Sequence, residues 1–316
     1  MTTDKKYKNF QATLGLLSQA TLGLLSQEPL SKYTSFRVGG PADLLAAPRD
    51  KQTLVAILNA ARQEGLPVTI LGGGTNTLVS DKGIKGLVII LKELKSVPCI
   101  FDTGSNTEDR KTIRADAGER LSTVCQFAMD QGLAGLEFAA GIPGTLGGAL
   151  MMNAGTAAWE ISQVVTALEV IDTKTLTFKT IKRKNLAFSY RQLAAVDILI
   201  VGAHLSLTPT DPAGIKKRFD QTLKTKKTTQ PISLASAGCF FKNPSSHAPA
   251  GKLIEDAGLK GKKINGAQIS KRHANFIINT GNAKCEDIIA LKNLVQKTVF
   301  KKYNIKLETE VKVTGE

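Results

Sequence analysis

Two kinds of residue in this chain have chemistry to offer: one cysteine in an aromatic loop, and clustered glycines that open the backbone to a ligand. The loop is "SAGCFFKNP" (236–244), where Cys239 stands between a glycine and two phenylalanines, close to Lys242 and Asn243. A thiol there reads as a small buried filler or as a reactive group held in a site; on residue type alone the filler reading leads. The first glycine cluster is Gly72, Gly73 and Gly74, followed by Thr75 and Asn76. Its amides can form an anion-binding nest with Asn76 as an extra donor, although a plain turn has the same composition. The second is "GIPGTLGGALMMNAG" (141–155), where Gly141, Gly144, Gly147 and Gly148 surround Ile142, Pro143 and Thr145. So many glycines in an apolar run are costly to order unless the backbone must hug something. Two such cradles suit one long diphosphate cofactor better than ATP. Neither is a dinucleotide fingerprint, because "TLVSD" follows Asn76 without a helix, and no G-K-[ST] marks a P-loop.

Composition narrows the function classes. The 316 residues leave room for two or more domains, with 42% hydrophobic and 22% charged residues. The four cysteines are scattered without a C-x-x-C pair, and the three histidines are equally dispersed. That pattern speaks for a reducing compartment and against a disulfide framework or a metal centre. The formal net charge of +15 raises nucleic acid as a partner. No nucleic-acid-binding motif accompanies it, and the clusters "KKR" (216–218) and "KTKK" (224–227) fall on one expected helix. A solvated helical face or a funnel for small anions explains them equally well. At the N-terminus "QATLGLLS" (11–18) is repeated at 19–26. The repeat is too short for a solenoid, a signal peptide or a membrane span. It reads as an expendable extension of a cytoplasmic protein.

The elements that must position these groups alternate between helix and strand. Asp50 caps an expected helix over 51–64, stopped by Gly65, and strands follow at 67–71 and 86–91. The polar stretch 97–110 reads as a hairpin loop, followed by a strand at 112–117 and a helix at 122–131. From Val164 to Leu207 the alternation predicts antiparallel strands. Composition shifts at "TPTDPAG" (208–214), where Asp211 and Pro212 start a helix reaching about Lys227. A short helix ending at Gly258, strands "GAQIS" and "NFIIN", a helix over 284–302 and a closing strand over 305–313 complete the chain. The order predicts a mixed α/β and α+β protein.

The ordered blocks "YTSFRVGGPAD" (33–43), "LGGGTNTLVSD" (71–81), "GLEFAAGIPGTLGGALMMNAG" (135–155), "FSYR" (188–191), "QPISLASAGCFFKNP" (230–244), "AGKLIEDAGLKG" (250–261) and "LETEV" (307–311) resemble the UDP-N-acetylenolpyruvoylglucosamine reductases, the MurB family. The likeness covers nearly everything from Leu30 to Gly315. The short run after Tyr190 and Arg191 is similar to the type II branch. The resemblance implies a two-lobed FAD-binding domain of the vanillyl-alcohol-oxidase type over 30–208, with lobes at about 30–95 and 96–208. A C-terminal α+β substrate domain over 209–304 and a closing segment over 305–316 follow, and 1–29 is the extension. It implies NADPH-dependent, FAD-mediated reduction of a UDP-linked enolpyruvyl sugar by a monomer, without nucleic acid or membrane insertion. Neither glycine loop carries histidine or cysteine, so the FAD is expected to be non-covalent. By resemblance Arg191 and Glu310 polarise the substrate, and position 239 supplies a proton. On pattern alone Arg191 reads as a surface arginine and Glu310 as an exposed strand residue. Tyr190, Asn243 and Lys227 are implied substrate contacts. The commonest family pattern has serine at position 239. A thiol, with a free pKa of about 8.5, is a far stronger acid than a hydroxyl and donates a proton at least as readily.

Overall fold

Phe10 and Leu14, one helical turn apart, are the first side chains of the chain to find a core. In the computed structural model, which describes residues 3–15, 24–101, 109–156, 158–244 and 247–315, they lie on helix α1 (Thr3–Leu14) and are 0% and 3% exposed. They pack with Leu54, Ile57 and Ala61 of α2 (Lys51–Gln63). Asn9 reaches the Glu64 carboxylate at 3.3 Å, and the Tyr7 hydroxyl accepts the Gly86 N–H at 3.3 Å. Residues 3–14 of the expected extension thus pack into a core of the first unit. The Phe10/Leu14 spacing gave α1 an apolar stripe that the octapeptide repeat obscured. Part of that repeat, 16–23, and most of the expected loop, 102–108, lie outside the described residues.

The chain divides into two compact units. The first takes its described residues from 1–25, 44–73 and 86–224; the second from 26–43, 74–85 and 225–316. The contiguous divisions expected at 29/30 and 208/209 do not coincide with these units. The reason is a strand pair that no local pattern announces. Within the second unit, β4 (Thr77–Val79) pairs in parallel with the last strand, so 74–85 belong with the C-terminal residues.

In the first unit Asp50 accepts the Thr53 N–H at 2.7 Å and caps α2 as expected. Strands β3 (Val68–Leu71) and β5 (Ile84–Ile90) pair in parallel from Val68↔Leu87 to Leu71↔Ile90. A larger antiparallel sheet is built on β13 (Ile198–Pro209), which lies between β9 (Val165–Asp172) and β7 (Lys111–Asp116). The strand β10 (Phe178–Lys182) adds to β9. The expected antiparallel strands of 164–207 are therefore present. Helices α3 (Leu121–Asp130) and α4 (Leu146–Met151) cover this sheet through Leu121, Val124, Leu146 and Leu150. The helix α4 arises inside the second glycine cluster, where the sequence suggested only loop; Thr145 caps it by accepting the Gly148 N–H at 3.3 Å. At one edge of the β7–β13–β9 layer, Glu169 accepts from Arg114, His204 and Lys51 at 2.7–3.0 Å. Hydrogen bonds from His204, then Arg114 and Lys51, hold its carboxyl far below the usual range despite partial burial.

The second unit centres on α7 (Cys285–Tyr303), the helix expected over 284–302. Asp81 accepts the Cys285 and Glu286 N–H groups at 2.8 and 3.0 Å and neutralises the orphan donors at its start. Leu291, Val295 and Val299 of α7 pack with Phe36, Phe240, Phe241 and Ile277. The short helix α6 (Ala250–Asp256) is followed by Gly258 at φ +74°. Strands β14 (Lys263–Ile264), β15 (Ala267–Ile269) and β16 (Ile277–Asn279) form an antiparallel sheet. The expected closing strand over 305–313 is corrected: only β17 (Lys312–Thr314) is regular. Residues 308–310 instead face 240–242 through single contacts.

Candidate active site

The two glycine clusters meet within the first unit. A Cβ on Gly73 would lie 2.9 Å from the Gly144 Cα, and one on Gly72 would lie 2.7 Å from the Thr145 hydroxyl. Only glycine permits that approach. Leu146 and Gly147 donate to the carbonyls of Glu119 and Ala117 at 2.8 Å each, which anchors the turn that leads into α4. Gly141, Ile142, Pro143 and Gly144 form the approach to this turn, with Gly141 and Gly144 at φ +72° and +111°. The backbones of Gly73 and Gly144 thus approach closely, with the Thr145 hydroxyl beside Gly72. A close backbone approach of this kind leaves room for the diphosphate of a flavin cofactor.

Gly74, Thr75 and Asn76 belong to the second unit. Gly74 holds φ +61° with the Tyr33 carbonyl where a Cβ would be, and its own carbonyl accepts the Ser35 N–H at 3.0 Å. Asn76 donates through its side chain to the Glu310 carbonyl at 3.1 Å, while its own carbonyl accepts the Lys312 N–H at 3.0 Å. The residue expected to serve the cofactor thus fixes the segment that carries Glu310.

Arg191 and Tyr190, in the first unit, form the two-residue turn between β11 (Phe188–Ser189) and β12 (Gln192–Leu193). Arg191 takes φ +57°, a left-handed conformation that costs a branched-out side chain of order 1 kcal/mol. Its guanidinium lies 5.0 Å from the Tyr190 ring centroid, a cation–π distance. It donates to the Gly155 carbonyl at 3.1 Å and stands 3.7 Å from the Glu160 carboxylate.

Cys239 and Glu310 come together in the second unit. Glu310 donates its N–H to the Phe240 carbonyl at 2.9 Å, and Phe241 bridges Thr309 in antiparallel register. Both residues are half-buried. Asn275, only 2% exposed, fixes the strand after the thiol: its carbonyl accepts the Phe240 N–H, and its side chain bonds the Phe241 N–H and carbonyl at 2.9 and 2.8 Å. Cys239 opens onto a cavity of about 260 Å³ whose other walls include Asn243, Lys252, Arg272 and His273. Burial, then the charge of Lys260, keeps the His273 imidazole below its ordinary pKa and so more readily neutral. Lys242, the cation beside the thiol in sequence, lies 3.5 Å from the Glu308 carboxylate.

The remaining expected contacts have mixed positions. Asn243 accepts the Ala250 N–H at 3.0 Å, which ties the Cys239 loop to the start of α6. Lys227 is exposed on the last turn of α5 (Pro212–Thr229), and its carbonyl accepts from Arg272 at 3.1 Å. Sequence reasoning missed Glu160, Asn153 and Asn275. Two of them lie inside or beside quoted blocks, but their side chains bond backbone that is remote in the chain. Among the described residues, no helix is long and apolar enough to cross a membrane.

Comparison with known proteins gives a consistent picture. Residues 230–314 match the family described as UDP-N-acetylenolpyruvoylglucosamine reductase, C-terminal domain, and residues 42–180 match the FAD binding domain family. A UDP-N-acetylenolpyruvoylglucosamine reductase of Caldanaerobacter subterraneus subsp. tengcongensis is 43% identical over 291 residues, 92% of this chain and 93% of that protein. One from Listeria monocytogenes serotype 4a is 40% identical, covering 92% of this chain and 94% of its own length. The crystal structure of the reductase (MurB) from Thermus caldophilus superposes with a TM-score of 0.77 at 31% identity, covering 93% of this chain and 99% of that one.

Proposed function

We propose a mechanism from the premise that this chain belongs to the UDP-N-acetylenolpyruvoylglucosamine reductase family. Its fold is the expected FAD-binding domain of the vanillyl-alcohol-oxidase type joined to the family's C-terminal domain. The chain is an FAD-containing oxidoreductase that reduces UDP-N-acetylenolpyruvoylglucosamine to UDP-N-acetylmuramate with NADPH, a step of peptidoglycan synthesis. We place it in the cytoplasm as a monomer with non-covalent FAD, where its product feeds cell shape and division.

Bound FAD supplies the hydride relay from NADPH to the enolpyruvyl double bond. Gly72, Gly73, Gly141, Ile142, Pro143, Gly144, Thr145, Gly147 and Gly148 would line its binding site. Gly74, Thr75 and Asn76 act from the second unit, by shaping the turn and fixing Glu310. When a hydride reaches C3 of the enolpyruvyl group, negative charge develops at C2 and spreads into the carboxylate. Arg191 neutralises that charge, and Glu310 polarises the same group; preorganised groups of this kind cost no reorganisation at the moment of reaction. Cys239 gives its proton to C2, which completes the addition of one hydride and one proton. Tyr190, Asn243 and Lys227 hold the sugar nucleotide.

The observation that supports the residue assignment is the backbone hydrogen bond from the Glu310 N–H to the Phe240 carbonyl, which puts Glu310 alongside the residue that follows Cys239. Cys239 is also half-buried, lines a cavity and is absent from the buried core cluster around it, which supports acid over filler. Cys239→Ala tests this. It is expected to slow substrate reduction by a factor of about 100 or more, while NADPH still bleaches the flavin. Cys239→Ser is expected to stay within about tenfold of the native rate, because the hydroxyl still relays a proton. Near-normal turnover of the alanine variant returns the thiol to filler.

A further inference from the structure

We infer that Glu160 is a positioning residue for Arg191. This rests on the role assigned to Arg191 above. An arginine on a two-residue turn has many rotamers, and effective charge stabilisation requires one of them to be held before the substrate reacts. The structure builds that hold from two directions. The Gly155 carbonyl takes one guanidinium nitrogen at 3.1 Å, and the Glu160 carboxylate faces the other at 3.7 Å. Glu160 is fixed in turn: its second oxygen accepts from Asn153 at 2.7 Å, and its N–H donates to Gln163 at 2.9 Å.

Asn153 makes this a single device. It is 1% exposed and left-handed at φ +41°, a conformation asparagine tolerates better than most residues. The same amide nitrogen that holds Glu160 also donates to the Ser189 carbonyl at 3.0 Å, one residue before the Tyr190–Arg191 turn. Its oxygen accepts the Ser162 N–H at 3.2 Å. One buried side chain therefore ties the carboxylate to the hairpin whose arginine it faces. A bland role for Glu160 exists, since it begins the three-residue 3₁₀ turn Ile161–Gln163. Capping alone asks only for an acceptor, which glutamine provides; it does not require a negative charge 3.7 Å from Arg191.

The test is a double-mutant cycle with holoenzyme, read by kcat and KM for the sugar nucleotide, flavin content and the NADPH half-reaction. Glu160→Gln keeps the bond to Asn153 but turns an amide donor toward the guanidinium. It is expected to lower kcat about thirtyfold with KM changed less than about threefold, because the interaction matters as charge develops. Flavin content and NADPH reduction are expected to stay native. In an Arg191→Ala background the same change is expected to add less than about twofold, since its target is gone. Should Glu160→Gln lose flavin, Glu160→Asp carries the test through the same cycle, with its shorter reach. Native kcat for the Glu160 variants alongside an impaired Arg191→Ala overturns the positioning role. Effects that multiply across the cycle overturn it as well. A fully active Arg191→Ala enzyme overturns the Arg191 assignment itself, and this inference with it.

Discussion

Cys239 and Glu310 were legible as chemistry only through the blocks that surround them. A lone cysteine between glycine and phenylalanine has the composition of a core position, and a glutamate in "LETEV" has that of a solvent-facing strand. What sets them apart is register: Glu310 bonds the carbonyl of Phe240, and Asn275 clamps the same backbone from the other side. Asn153 and Asn275 escaped notice because a polar side chain that bonds remote backbone leaves no local signature, and Glu160 because its partners are the side chains of Asn153 and Arg191. If Glu310 has the proposed role on substrate charge and none in flavin reduction, Glu310→Gln should leave the NADPH half-reaction within about twofold and slow the second by a factor of about 100. Rapid-mixing absorbance of the flavin separates the two steps. Equal damage to both would assign the carboxylate to folding or flavin binding.

Among elements, those written by local rules were predictable. The cap at Asp50, the apolar and β-branched runs of β9, β10 and β13, and the stop at Gly258 each express a short-range preference. The elements that were missed depend on distant partners. The strand β17 exists because β4 offers it an edge, and the start of α4 is anchored by Leu146 and Gly147 on the carbonyls of Glu119 and Ala117. The helix α1 was misjudged for a related reason. Its stripe is short, and the value of Phe10 lies in meeting Ile57 and Leu87 in the core. Phe10→Ala should therefore cost about 3 kcal/mol of stability, read as a lower urea midpoint. Removal of residues 1–14 should be at least as costly. Unchanged unfolding of either variant would show that α1 contributes nothing to that core.

At the scale of the whole molecule, a contiguous reading of domains could not anticipate that residues 26–43 and 74–85 share a unit with the C-terminal third. Pairing between strands as far apart in the chain as 77–79 and 312–314 is invisible to composition and periodicity. The family, by contrast, was legible, because seven ordered blocks carry the glycine cradle, the arginine turn, the thiol loop and the final acid together. The charge of +15 also finds a use, since the sugar diphosphate, the enolpyruvyl carboxylate and NADPH are all anions. The central claim is that one flavin passes a hydride from NADPH to the enolpyruvyl sugar. The direct measurement is anaerobic: the purified holoenzyme is bleached with one equivalent of NADPH, then mixed with UDP-N-acetylenolpyruvoylglucosamine while flavin absorbance is followed. The absorbance should return in full with this substrate and stay bleached with UDP-N-acetylglucosamine, which lacks the double bond. A flavin that NADPH does not bleach, or that reoxidises equally with both sugars, would contradict the account.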